Sequence, residues 1–169
     1  MEKKDELILA MMEYDCGMTK QIQHFLKVYE FASLIGKMEK LPEKTQKILE
    51  LSAIVHDIGI RKSLEKYGSS AGKYQEEEGP DEAEKIMKKL KFTQEEIERV
   101  KFLVAHHHTY SEIDGPDYQI LVEADFLVNL YEDAESSETI AKTREKIFKT
   151  PSGCRLLKAN FALGDGSEI

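Results

Sequence analysis

Residues 51–59 read Leu-Ser-Ala-Ile-Val-His-Asp-Ile-Gly, an apolar run that ends on His56 and Asp57. The run has the composition of a buried helix, and Gly59 breaks it. An imidazole and a carboxylate side by side at a buried helix end are costly unless something uses them. A divalent cation is the natural user, because a neutral imidazole nitrogen and an ionised carboxylate oxygen are both good ligands. The pair alone proves little. What matters is whether other His and Asp residues fall on core-facing positions.

Outward from this run, helical periodicity dominates and strand signals are nearly absent. The spacing predicts a first helix over about 3–14 and a second from Thr19 to about Lys37. A third runs from Pro42, a residue suited to a first helical turn, to Asp57. Residues 61–79 contain three glycines and three serines and read as a long loop with at most one helical turn. Pro80 and Asp81 open a fourth helix to about Leu90. Thr93 and Glu96 form a capping-box pattern for a fifth, which ends near His106. Residues 108–118 read as a second loop with a turn at Gly115-Pro116. A sixth helix follows to Tyr131, a seventh over about 136–148, and an eighth from Thr150-Pro151. The tail Gly-Asp-Gly-Ser-Glu-Ile (164–169) should fray. The expected fold class is all-α, one helical domain over 1–169 with about six to eight helices. Its core covers about 19–132, with C-terminal helices over about 136–161.

The chain has 169 residues, enough for one domain with a real core. A net charge of −8 argues against a nucleic-acid binder, which would show a basic face. It leaves small phosphorylated substrates open, since a metal supplies its own positive charge. No apolar stretch approaches a membrane span, and the charged N-terminus lacks a signal-peptide core, so a cytoplasmic protein is expected. The two cysteines, Cys16 and Cys154, are far apart and read as ordinary reduced thiols.

Several polar residues land on apolar helix faces. His24, Val28, Phe31 and Ile35 share one face of the second helix. Leu49, Ala53 and His56 share a stripe, with Asp57 beside it. Val100, Leu103, Val104 and His107 share a face of the fifth helix, flanked by His106 and His108. Leu121, Asp125 and Val128 share a face of the sixth. Any one of these has a bland explanation as a satisfied core residue. Together, His24, His56, Asp57 and Asp125 make a two-imidazole, two-carboxylate set for a divalent cation.

This H…HD…D order on helices resembles the HD-domain superfamily of metal-dependent phosphohydrolases, from about His24 to Tyr131. The resemblance implies that His24, His56, Asp57 and Asp125 hold the metal. Asp57 would also orient the attacking, metal-activated water. The implied substrate is a nucleotide or another small phosphate ester. Two-metal members carry a further histidine where this chain has Gln75, four residues before Gly79. That implies one firmly held cation, with room for a second. Glu76 or Glu77 is a weak stand-in for the missing ligand. His107-His108 resembles the family's His-His pair and would bind phosphate or protonate the leaving oxygen.

Arg61, Lys62 and His106 are candidate substrate-binding residues. With Lys66 and Lys73, the first two could form a lid over phosphates. Tyr110 and Tyr118 are candidates to stack on a base or ring, and Glu123 is given no role. The cation could be manganese, iron, cobalt, nickel, zinc or magnesium. Two other readings compete: an HD-type di-iron oxygenase, and an inactive metal- or nucleotide-binding module.

Overall fold

A computed structural model describes residues 1–164, and the predicted fraying tail lies almost wholly outside them. Among the described residues there are nine α-helices and no strand. They are α1 (Lys3–Tyr14), α2 (Thr19–Met38), α3 (Glu43–Val55), α4 (Gly59–Tyr67), α5 (Gly72–Lys89), α6 (Gln94–His106), α7 (Pro116–Glu132), α8 (Ser137–Ile147) and α9 (Pro151–Phe161). None of them is long and apolar enough to cross a membrane.

Helices α2, α3 and α7 pack against one another, and α4, α5 and α6 form a layer reached through α3. Two apolar clusters result. Val28, Ile35, Leu49, Leu121 and Val128 belong to one. Phe25, Leu51, Ile54, Met87 and Val104 belong to the other. Helices α2 and α3 feed both clusters; α2 also carries His24, and His56 follows the last residue of α3.

The main correction to the sequence reading concerns residues 61–79. This stretch is helical on both sides of a short link, not a loop. Gly68 ends α4 in the left-handed region, at φ 65°. Helix α5 then starts at Gly72, well before Pro80, which lies inside it. The other glycines here serve close packing. A Cβ at Gly59 would lie 2.5 Å from the carbonyl oxygen of Gln75, and one at Gly79 would lie 2.7 Å from Val104 Cγ1. Backbone therefore meets backbone where α4 crosses α5. That crossing fixes Gln75 beside the end of α3.

Three polar fastenings hold the frame. Glu50 is buried on α3 and accepts hydrogen bonds from Lys4 Nζ, Ser33 Oγ and Gln46 Nε2, each at 2.7 Å. Arg99 on α6 grips Asp114 and Asp117 with paired guanidinium contacts of 2.7–2.9 Å. Tyr118 is fully buried, and its hydroxyl donates to the carbonyls of His106 and Thr109. That burial excludes it as a stacking surface for a ligand. The capping box of Thr93 and Glu96 forms as predicted.

Glu123 is also more than an idle neighbour of Asp125. It is fully buried and turned away from it, accepting from the backbone amides of Lys149 and Thr150 at 2.7 and 2.9 Å. A buried carboxylate there satisfies the entry to α9.

Candidate metal centre

Helix α3 ends at Val55, and His56 and Asp57 form the turn into α4. His56 is fully buried and Asp57 nearly so. His24 arrives from the second turn of α2, and Asp125 from the middle of α7. His24 Nε2 lies 3.1 Å from Asp125 Oδ1, 3.3 Å from Asp57 Oδ2 and 3.3 Å from His56 Nε2. His56 Nε2 lies 3.5 Å from both Asp57 Oδ2 and Asp125 Oδ1. The four predicted ligands therefore converge.

The opposite ring nitrogens explain the direction of that convergence. His56 Nδ1 donates to the Ala53 carbonyl, and His107 Nδ1 to the Val104 carbonyl, each at 2.9 Å. His24 Nδ1 donates to Glu132 Oε2 at 2.9 Å. A proton fixed on Nδ1 leaves a lone pair on Nε2, so the rings present acceptors to one another and to the carboxylates. Such a cluster needs positive charge among its members. Burial pushes the His24 imidazole down, but its hydrogen bond to Asp125 and the charge of Asp57 carry it up to about 9. Burial likewise opposes ionisation of Asp57 and Asp125, yet the surrounding imidazoles hold both well below the usual carboxylate range.

A second group shares Asp57. His107 is buried, and its Nε2 lies 3.4 Å from Asp57 Oδ1 with no hydrogen-bond partner among the described residues. His108 joins these two as a third candidate ligand. Burial and the neighbouring His107 push its imidazole down to about 4. Its Nε2 lies 3.2 Å from Gln75 Oε1, while Gln75 Nε2 donates to the Ser70 carbonyl at 2.7 Å. An orphaned, buried Nε2 facing a carboxylate, beside four converging ligands, fits a divalent cation in chemistry and in charge.

The chain belongs to the HD-domain family. The family's HD domain model matches residues 22–148. HD domains bind divalent metals, and the superfamily is one of metal-dependent phosphohydrolases. The solved structure of a predicted HD superfamily hydrolase from an uncultured Thermotogales bacterium shares the fold. Its TM-score is 0.67 at 21% identity, over 94% of this chain and 84% of that one. No curated protein matches the sequence.

Other predicted site residues in this HD domain lie elsewhere. A cavity of about 220 Å³ opens over the centre, and Arg61, Lys62 and His106 do not line it. Arg61 donates to the Cys16 carbonyl at 3.2 Å and covers the Tyr14 ring. Lys62 faces Glu65, Lys66 pairs with Glu78 at 2.6 Å, and Lys73 covers Tyr74. These cations sit on helices and form no lid. His106 Nδ1 donates to the Phe102 carbonyl, and its ring stacks on Phe102. Glu76 accepts from the His108 amide at 2.9 Å, and Glu77 accepts from Tyr67, so neither replaces the missing histidine. Tyr110 packs on Phe126.

Sequence reading missed Lys20, Gln21, Asn129 and Glu132, all of which line the cavity. A signal for them existed. Lys20 and Gln21 precede His24 by four and three residues, and Asn129 and Glu132 follow Asp125 by four and seven. Those spacings put each of them on its ligand's own helix face.

Proposed function

We propose that this protein is a metal-dependent phosphohydrolase acting on a small phosphomonoester or phosphodiester. The observation that carries the reading is the convergence of His24, His56, Asp57 and Asp125, with each histidine's Nδ1 already committed behind it. These four residues would hold one divalent cation firmly. Asp57, His107 and His108 would hold a second more weakly, because Gln75 engages His108 Nε2. A bound cation supplies Lewis acidity toward a phosphoryl oxygen and activates water near neutral pH.

The residues supply the rest. Asp57 offers one oxygen to each ligand group, and so orients the attacking water between them. The water oxygen bonds to phosphorus, the ester P–O bond breaks, and the leaving oxygen takes a proton. With the weaker second site empty, His107 Nε2, 3.4 Å from Asp57 Oδ1, would hold and deliver that proton. The buried setting of the centre keeps these charges strong.

Elemental analysis of protein purified without chelators, then release of phosphate from monoesters and of the alcohol from diesters with that metal, tests the reading. His56→Ala and Asp57→Ala should lose both metal and hydrolysis. Full retention of both in either variant would refute the assignment. His107→Ala should keep the first metal and lose about 10²–10⁴-fold in turnover.

A further inference from the structure

The cavity above the centre is small and polar. Its volume of about 220 Å³ falls below the roughly 300–1,000 Å³ typical of pockets that enclose drug-sized ligands. Ile60 is its only aliphatic lining residue, and no Phe or Tyr lines it. A nucleobase binds by stacking a flat face on an aromatic or apolar surface, and beyond Ile60 this lining offers only the imidazoles of His24 and His108, which are tied at their ring nitrogens to Asp125, Glu132 and Gln75.

The lining amides have fixed orientations. Gln21 Nε2 donates to Asp57 Oδ2 at 2.7 Å, and Asn129 Nδ2 donates to Asp125 Oδ1 at 2.8 Å. An ionised carboxylate only accepts, so each amide commits one N–H to the centre, keeps the other, and leaves its carbonyl oxygen for a ligand. Asp133 adds carboxylate oxygens to the same lining, while those of Glu132 are held by His24 and Lys27. A wall of acceptors matches a ligand rich in hydroxyl donors.

Lys20 is the only lysine or arginine that lines the cavity, and it has no ion pair or hydrogen bond among the described residues. It stands one helical turn before His24, on the same face. One free lysine suits one phosphate. The carboxylate of Asp133 opposes the additional charge of a di- or triphosphate.

We infer that the substrate is the phosphomonoester of a small, hydroxyl-rich alcohol, such as a sugar or polyol phosphate, with Lys20 binding its phosphate. This inference rests on the phosphohydrolase reading above, and narrows it away from nucleotides.

The test is phosphate release by the metal-loaded protein from glycerol phosphate, hexose phosphates, nucleoside 5′-monophosphates and a nucleoside triphosphate. The best sugar or polyol phosphate should exceed every nucleotide by about tenfold or more in kcat/KM. Lys20→Ala should raise KM by about tenfold while leaving kcat and metal content unchanged, and Lys20→Arg should recover most of the loss. Parity between the classes, a preference for a nucleotide, or an unchanged KM in Lys20→Ala would overturn the inference while leaving the phosphohydrolase reading intact. No hydrolysis of any of these esters, nor of a phosphodiester assayed by alcohol release, would overturn both.

Discussion

His24 is gripped from both sides: its Nε2 faces the centre and its Nδ1 meets Glu132. Lys27 in turn holds the other Glu132 oxygen at 2.8 Å. A carboxylate behind a ligating imidazole fixes the tautomer and raises its basicity. Glu132→Ala should therefore weaken cation binding by about 10–100-fold. Glu132→Gln should lose less, since its amide oxygen still accepts from Nδ1. Chelator competition measures both, and unchanged affinity in the alanine variant would remove Glu132 from the centre. At this scale the sequence was legible where chemistry and helix face coincided, as for the four residues that converge at the centre. It misled where closeness along the chain stood in for closeness in space. Arg61 and Lys62 follow the His-Asp pair closely, but each helical residue turns the side chain by about 100°, and α4 carries them off the cavity.

Helix α4 meets α5 at Gly59, two residues after Asp57. A side chain at Gly59 would strike the Gln75 carbonyl, part of a backbone that cannot swing aside. Gly59→Ala should cost about 1–3 kcal/mol through forced separation of the two helices. It should also weaken cation binding, because the His56-Asp57 turn and Gln75 move with them. Thermal unfolding with a parallel metal titration checks this, and an unaltered melting temperature would show that the crossing yields freely. The same contact explains why residues 61–79 looked like loop. Glycine lowers helix propensity whether it is there to turn the chain or to let two backbones touch. Only tertiary packing tells the two apart. Of this segment's features, the stop at Gly68 was the one a local rule could place correctly.

Across the molecule, Glu50 links α1 to α2 and α3 through Lys4, Ser33 and Gln46. Burial pushes its carboxyl up, but Lys4, Gln46 and Ser33 together hold it below the ordinary value. Its stabilisation is therefore present above the unfolded carboxyl pKa of about 4.3 and disappears as pH falls through the lower folded value. Glu50→Gln should lose about 1–3 kcal/mol at pH 7. Its gap from the native protein should narrow as pH drops below about 4. Urea unfolding at both pH values decides, and a gap independent of pH would show that shape, not charge, is what Glu50 contributes. The all-α class was readable at this scale from periodicity alone. The order H…HD…D further showed which helices must meet, because buried imidazoles and carboxylates need one another.

His24 and Asp125, which meet at the centre, stand 101 residues apart in the chain. A cation gripping both would close a long loop, and closure entropy grows only slowly with loop length. An ion that binds only the assembled site draws the chain toward its folded form, by about 2.7 kcal/mol at a free concentration one hundred times its dissociation constant. Any fragment that stops short of Asp125 forgoes this. The same ion that serves the chemistry would thus act as a clasp, fastening only after the seventh helix has docked.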